Sequence, residues 1–246
     1  MIVPWKFTAL ADAAANSELL LALASSAKAS SDPKMTARAI RDFSLQQQAA
    51  PTAEIVSTAK SLVRLKGSGD VDSLCVARLV DDQFLELTVE GTCGFSLHRF
   101  NTASSVDQVL WSQEPGTQLV RVEEGDLLVL FTDGLSSNLA LTDPAISLCF
   151  ESRLQSTGRL SSVAAVANCL ALKARDKVLT SQDTPYAESL RAQGIGYFGG
   201  KPDDISVTVA QLLTEKPGPI PATAAFPHRI SLYRAEPIKS ERAESI

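Results

Sequence analysis

Acidic residues stand at the ends of two predicted strands that lie far apart in the sequence. The first strand is the apolar run Leu127–Phe131, which is followed by Thr132, Asp133 and Gly134. An unbroken apolar run of this length is typical of a strand buried on both faces. Asp133 then stands at the strand end, where the glycine allows a sharp turn and a ligand can approach. Because Asp-Gly after a strand is also an ordinary turn, this motif alone does not establish a site.

The second acidic motif lies beside a strand near the other end of the chain. Residues 199–204 read Gly-Gly-Lys-Pro-Asp-Asp and lead into residues 205–210, in which apolar and polar side chains alternate as in a strand. Asp203 and Asp204 are therefore held at the mouth of that strand. If Asp133 and Asp203 face one another, their repulsion requires a counter-charge, most simply a hard divalent ion such as Mg²⁺ or Mn²⁺ bound through oxygen.

The two motifs together resemble those of a known protein family. Residues 125–135 and 200–206 are similar to the two C-terminal motifs of the metal-dependent type 2C protein phosphatases, in particular the branch with mitochondrial-matrix and sporulation phosphatases. The resemblance implies an α+β fold, a four-layer α-β-β-α sandwich of antiparallel sheets flanked by helices. It also implies paired Mg²⁺ or Mn²⁺ ions that lower the pKa of a bound water, which attacks phosphoserine or phosphothreonine.

The resemblance assigns roles to individual residues. The residues that would contact the metal ions directly are Asp12, Ala13, Asp133 and Asp203. Asp204 would lie just behind these ligands, and Lys201 would meet the phosphate or, alternatively, be a solvated loop lysine. Asp12 equally fits the end of a helix, because the alanines after it favour a helix where the family has a glycine loop.

Several departures from the family pattern reduce the number of acidic ligands. Thr92 stands in the family's Gly-Asp-Ser-Gly turn, and Ser137 stands where an acid precedes Asn138. Since affinity for a hard divalent ion follows the number of carboxylates, these changes weaken the expected metal site. Only eight residues precede Ala9, so the sandwich is expected to lack its first strands, including the arginine that grips phosphate.

These observations predict a catalytically degenerate phosphatase, a pseudophosphatase that serves as a structural or scaffold subunit of a larger assembly. No catalytic residue is assigned, and Mg²⁺ or Mn²⁺ is expected only if the protein is active. Two alternatives remain open: an active metal-dependent serine/threonine phosphatase, and a module that binds phosphoserine without cleaving it. Protein partners would contact the N-terminal segment and the C-terminal tail. The family branch suggests a mitochondrial location, with the cytoplasm as the alternative.

Composition restricts the class of protein further. The 246 residues are 45% hydrophobic and 21% charged, which suits a globular domain over residues 1–213. Residues 214–246 contain repeated prolines and mixed charges, which predicts an extended tail. The formal net charge of −5 gives no basic footprint, so nucleic acid is not an expected partner. Residues 1–31 are apolar but too interrupted to span a bilayer, and we expect no transmembrane segment.

The four cysteines, Cys75, Cys93, Cys149 and Cys169, form no C-x-x-C pair, and the chain has two histidines. This pattern predicts neither a zinc site nor a disulfide scaffold. We therefore expect buried thiols in a reducing compartment.

The elements that must position the acidic residues follow from periodicity and capping signals. We expect helices over residues 33–48, from Thr52 as cap to about residue 63, from Pro144, over 161–179 and over 185–190, with one more helix inside residues 1–31. We expect strands over 73–80, 84–90, 95–100, 119–123, 127–131 and 205–210. Residues 101–116 are predicted to form a polar loop.

Overall fold

The computed structural model describes residues 5–10, 14–17, 20–25, 33–46, 50–67, 69, 71–80, 83–100, 106–140 and 142–214. The strands in this part are β1 Trp5–Leu10, β2 Ala14–Ser17, β3 Leu20–Ser25, β4 Ser73–Val80, β5 Phe84–Glu90, β6 Gly94–Phe100, β7 Val106–Ser112, β8 Gly116–Arg121, β9 Leu127–Phe131 and β10 Val207–Thr214. The helices are α1 Pro33–Gln46, α2 Thr52–Leu65, α3 Asp133–Ser136, α4 Pro144–Glu151, α5 Val163–Val178 and α6 Pro185–Ala192.

Within the described residues the strands form two five-stranded sheets with antiparallel pairing throughout. Sheet A has the order β1-β10-β9-β6-β7, and sheet B has the order β2-β3-β4-β5-β8. The inner faces of the two sheets pack on each other: Leu128 and Leu130 of sheet A share one buried cluster with Leu87 and Val89 of sheet B. This apolar layer is the core of a sandwich.

Helices cover the outer face of each sheet. Ile40 of α1 and Ile55 of α2 pack with Val76 over sheet B. Phe150 of α4 and Val166 of α5 pack with the outward side chains of β9 and β10 over sheet A. The four layers, helix, sheet, sheet and helix, confirm the predicted α+β sandwich.

β9 lies in the middle of sheet A, between β10 and β6, which explains its unbroken apolar sequence. Leu128 and Leu130 face the sheet-sheet core, whereas Leu127 and Val129 face the helices. Because both faces are covered, every side chain of β9 is buried, as the sequence predicts.

The helix predicted inside residues 1–31 is wrong for the described part of that segment, which forms β1, β2 and β3. β3 pairs with β4, with Leu23 opposite Cys75. Leu23 faces the sheet-sheet core, whereas Ala22 and Ala24 face the helices over sheet B. Burial on both faces of a sheet overrides the helix preference of alanine and leucine. With these strands before α1, the described residues give no support to the expected loss of the first strands.

Two smaller predictions are also corrected. Residues 106–112, which we expected in a polar loop, form β7 at the edge of sheet A, where Asp107 and Gln108 are exposed beside the buried Val106. Thr52 does not cap α2: Pro51 is the cap residue and makes no side-chain cap bond, while the Thr52 hydroxyl donates to Glu86 on β5. Both predictions failed for the same reason. The structure at these positions depends on contacts with other elements, which the local sequence does not show.

The expectation of four free thiols is wrong for two cysteines. Cys149 of α4 and Cys169 of α5 form a disulfide across 20 residues of sequence. The spacing gives no local signal for this pairing, because two helices must pack before the sulfur atoms meet. Cys75 and Cys93 are free and buried, as predicted. No helix in the described ranges is long and apolar enough to cross a membrane.

Candidate functional site

The pairing of β9 with β10 brings the two acidic motifs to the same edge of sheet A. Phe131, the last residue of β9, lies opposite Val207, the first residue of β10. Asp133 therefore leaves the sheet where the segment carrying Asp203 enters it. Thr132 joins the two segments, since its backbone N–H donates to the Ser206 carbonyl at 3.1 Å and its hydroxyl accepts from the Ser206 N–H at 3.0 Å.

Lys201 lies between the two aspartates. Its ammonium nitrogen is 2.5 Å from Oδ2 of Asp133 and 2.6 Å from Oδ2 of Asp203. A single nitrogen therefore neutralises part of the charge of both carboxylates. Partial burial lowers the pKa of Lys201. The hydrogen bonds that Lys201 donates to Asp133 and Asp203, together with the negative charges of these carboxylates, raise it by more, so the pKa lies above its ordinary value.

The distances show how closely the carboxylates approach. Because one nitrogen contacts both, their Oδ2 atoms are no more than about 5 Å apart. Two full negative charges at that separation repel each other by about 3 kcal/mol at an effective dielectric constant of about 20. Water reduces this figure, because the side chains of Asp133 and Asp203 are 28% and 39% exposed. The pocket thus needs a cation, and Lys201 supplies one.

Asn138 holds the Lys201 segment against the segment that carries Asp133. Its amide nitrogen donates to the carbonyl of Gly134 at 2.8 Å and to the carbonyl of Lys201 at 3.0 Å. Its Oδ1 accepts from the backbone N–H of Lys201 at 2.7 Å. The side chain is buried, so these bonds are shielded from water. No role was predicted for Asn138. Its position four residues after Gly134 was the available signal, because an asparagine there can form a hydrogen bond with the preceding turn.

Glycines allow these two segments to approach closely. A Cβ atom on Gly134 would lie 2.4 Å from the carbonyl oxygen of Asp204, and one on Gly200 would lie 2.1 Å from Oδ1 of Asn138. Both distances are far below van der Waals contact. The glycines are therefore required by space at the junction of the two acidic motifs.

Neutral polar residues connect the loop before β6 to α3, the helix that begins with Asp133. The hydroxyl of Thr92 lies 2.9 Å from that of Ser73, and Gln113 donates to the Thr92 carbonyl and to the Ser136 hydroxyl at 3.0 and 2.8 Å. Ser137 contributes through its backbone, since its N–H donates to the backbone carbonyl of Asp133 and its carbonyl accepts from the backbone N–H of Tyr186. The residues at positions 92 and 137 thus tie loops together and carry no charge.

Cys93 is a buried thiol close to Asp133. It was not predicted to lie at this site. Burial raises the pKa of Cys93 to about 12; a hydrogen bond to Ser73 lowers it, and the charge of Asp133 raises it. The sulfur therefore stays protonated at neutral pH and is a poor nucleophile. Cys93 lies near the end of β9 because β6 pairs with β9, and the local sequence does not predict this pairing.

The predicted roles in metal binding are not tested by this geometry, which shows only where the residues lie. Asp12 and Ala13 lie outside the described residues, whereas Asp133 and Asp203 come together as predicted. Asp204 is exposed, and its backbone N–H donates to Asp203. In the described part of the chain no group of three or more His, Cys, Asp or Glu side chains could hold a metal ion. Two carboxylates that share a lysine do not fit a divalent ion, which needs several free oxygen ligands.

One sequence relative is a protein phosphatase. The chain is 33% identical over 129 residues to the protein phosphatase PTC7 homolog fig of Drosophila grimshawi, a match that covers 47% of this chain and 41% of that protein. The chain therefore matches less than half the length of this curated relative. No family model matches the chain.

Solved structures of type 2C phosphatases have the same fold. The photosystem II phosphatase PBCP superposes with a TM-score of 0.56 at 17% identity, covering 85% of this chain and 98% of that one. The catalytic domain of PstP with two manganese ions gives 0.52 at 15% identity, covering 86% and 100%. The phosphatase MsPP of Mycobacterium smegmatis gives 0.51 at 14%, covering 84% and 97%. At these identities the likeness shows the fold. The chain therefore has the fold of the metal-dependent type 2C (PPM) protein phosphatases.

Proposed function

We propose that this chain is a pseudophosphatase, a type 2C phosphatase-like protein that acts as a structural or scaffold subunit and does not hydrolyse phosphoserine or phosphothreonine. One observation carries the proposal: Lys201 forms ion pairs with both Asp133 and Asp203. The carboxylates that would bind the metal ions are thus already engaged by a residue of the same chain.

The charge of the pocket supports the same conclusion. Asp133, Asp203 and Lys201 together carry a net charge of −1, and the neighbouring Thr92 and Ser137 add none. A phosphate group is itself an anion, so without divalent ions it would be repelled by this pocket. Attack on phosphorus also requires a cation to stabilise the developing charge, and the ammonium of Lys201 is occupied by the aspartates.

The scaffold role requires contact with other proteins. We place these contacts at the N-terminal segment and in the tail over residues 214–246, because the repeated prolines and mixed charges of the tail favour binding to a partner over packing in a core. The resemblance to the mitochondrial-matrix branch makes the mitochondrion the proposed location. Immunoprecipitation of the full chain and of a chain ending at residue 213 tests the tail contact: a partner retained equally by both contradicts it.

The proposal is tested by phosphate release from a phosphoserine peptide in the presence of Mn²⁺ or Mg²⁺. We expect no release by the full chain above that of the Asp133→Asn variant, which serves as the control for contaminating phosphatase. Release that depends on Mn²⁺ and is abolished by Asp133→Asn contradicts the proposal.

The second candidate is an active Mg²⁺- or Mn²⁺-dependent serine/threonine phosphatase. The convergence of Asp133 and Asp203 at one sheet edge favours it, since this is the arrangement that a metal site requires. Calorimetric titration of the full chain with Mn²⁺ separates the two candidates. Micromolar binding favours the enzyme, and no binding favours the scaffold.

A further inference from the structure

We propose that Lys201 is a tethered cation that competes with divalent metal ions for the pocket between Asp133 and Asp203. The proposal rests on the proposed function in that both start from the same ion pairs. It goes further by naming the side chain that sets the affinity of the pocket for divalent metal ions.

The geometry places the ammonium at the centre of the pocket. Its nitrogen lies within 2.6 Å of one oxygen from each aspartate. A divalent ion that bridges the two carboxylates would lie in the same space between them, at 2.0 to 2.6 Å from its oxygen ligands for ions such as Mg²⁺ and Ca²⁺. The two cations cannot occupy this space together, and their charges also repel each other. Metal binding therefore requires Lys201 to leave.

The backbone of Lys201 is fixed, which makes its ammonium a strong competitor. Asn138 binds both the N–H and the carbonyl of Lys201, and Gly200 packs against the same asparagine. A charged group held on a short tether competes at an effective concentration on the order of millimolar or higher. This competition raises the apparent dissociation constant of an ion from solution, so the wild-type pocket is selective against weakly bound ions.

The lysine also stabilises the pocket in the absence of metal. If it is removed, the carboxylates of Asp133 and Asp203 face one another without a counter-charge, and the segments held by Asn138 are pushed apart. The same change opens two oxygen ligands. We therefore expect removal of the lysine charge to lower stability without metal and to increase affinity for metal.

The test is a titration of the full chain with Mn²⁺, in which free Mn²⁺ is measured by electron paramagnetic resonance. Lys201→Met removes the charge and keeps a long side chain, whereas Lys201→Arg keeps the charge. Lys173→Met is the matched control, since Lys173 is exposed on α5 and its loss changes the net charge equally. We expect Lys201→Met to bind Mn²⁺ at least tenfold more tightly than wild type, Lys201→Arg and Lys173→Met.

A second variant shows that the gained affinity belongs to this pocket. Adding Asp203→Asn to Lys201→Met removes one ligand, and we expect the gain to disappear. In thermal melts Mn²⁺ should raise the melting temperature of Lys201→Met by more than it raises that of wild type, which also shows that the variant is folded. Lys201→Gln repeats the test with a polar side chain if Lys201→Met does not fold.

The proposal is overturned if Lys201→Met and Lys201→Gln bind Mn²⁺ no more tightly than wild type, or if the gain persists with Asp203→Asn. These outcomes are distinct from failure of the proposed function. Wild-type protein that releases phosphate would disprove the pseudophosphatase, yet Lys201 would still compete if its removal tightened Mn²⁺ binding.

Discussion

At the scale of single residues, His98 links the stability of the sandwich to pH. Its Nε2 lies 2.8 Å from the Ser96 hydroxyl and its ring packs 4.8 Å from that of Phe150. Burial lowers the pKa of His98 from 6.5 to about 4. The unfolded chain therefore binds one more proton than the folded chain between these values, so the contribution of neutral His98 is complete above pH 6.5 and is lost as pH falls toward 4.

We expect this residue to reduce the free energy of unfolding by about 3 kcal/mol between pH 7 and pH 4, because its pKa is lowered from 6.5 to about 4 in the folded chain. Urea unfolding at several pH values measures it. Carboxylates also titrate in this range, so the comparison is with His98→Gln, which keeps a hydrogen-bonding nitrogen and does not titrate. Parallel loss of stability in both proteins would contradict the assignment to His98.

Among the residues of the described ion pairs, Asp126 is the one whose replacement should lower the free energy of unfolding most. Its side chain is fully buried, accepts from Nε and Nη2 of Arg99 at 2.8 Å each, and also accepts from the Glu123 N–H. Asp126→Ala leaves a guanidinium and a backbone N–H without this partner, so we expect a loss of about 3 kcal/mol in urea unfolding. Asp176→Ala is the control, because its pair with Arg175 is largely exposed and should contribute under about 0.5 kcal/mol. Equal losses would show that burial does not decide the outcome.

At the scale of elements, the disulfide fixes α4 to α5 over the outer face of sheet A. Cys149 and Cys169 enclose about 20 residues, for which chain entropy predicts a stabilisation of about 3 kcal/mol. We expect reductant to lower the urea midpoint of the wild-type protein. The variant with both Cys149→Ala and Cys169→Ala should start lower and not respond to reductant. Because Cys75 and Cys93 are not paired, a response in that variant would contradict the disulfide as the cause.

Sequence patterns predicted the elements that carry strong local signals. β9 has an unbroken apolar run, α4 begins at Asp143, whose Oδ1 accepts from the Ala145 N–H, and α5 begins after Ser162, whose hydroxyl accepts from the Ala165 N–H. β3 was missed because its alanines and leucines favour a helix until they are paired with β4. β7 was missed because its exposed polar residues resemble a loop. For β3 the deciding contact lies in a distant part of the sequence, whereas β7 pairs with the strand that precedes it, β6.

The same limit holds at the site. Asp133 and Asp203 were found because each stands beside a strand and in a family motif. The ion pairs of Lys201 and the hydrogen bonds of Asn138 were not found, since they depend on where β10 lies relative to β9 and not on spacing along the chain. The neutral Thr92 and Ser137 could be read directly, because a substituted residue type is visible in sequence.

At the scale of the whole molecule, the site depends on contacts between segments some 70 residues apart. Thr132 bonds to Ser206 across a separation of 74 residues, and Lys201 reaches Asp133 across 68. Between them lie α4, α5 and α6, so this edge of sheet A forms only when the helices have returned the chain to β10. The packing of Gly134 against Asp204 is one point at which the two segments approach closely.

Gly134→Ala should therefore separate the two segments. Its Cβ would lie 2.4 Å from the Asp204 carbonyl oxygen, and backbone on both sides leaves little room to adjust, so we expect a loss of about 3 kcal/mol in thermal or urea unfolding. Gly196→Ala is the control, because a Cβ there meets nothing within 4 Å. Because Lys201 and Asp133 move apart in the Gly134 variant, adding Lys201→Met to it should no longer change the affinity for Mn²⁺. The expectation is contradicted if Gly134→Ala is as stable as Gly196→Ala and if Lys201→Met still tightens Mn²⁺ binding in the Gly134→Ala protein.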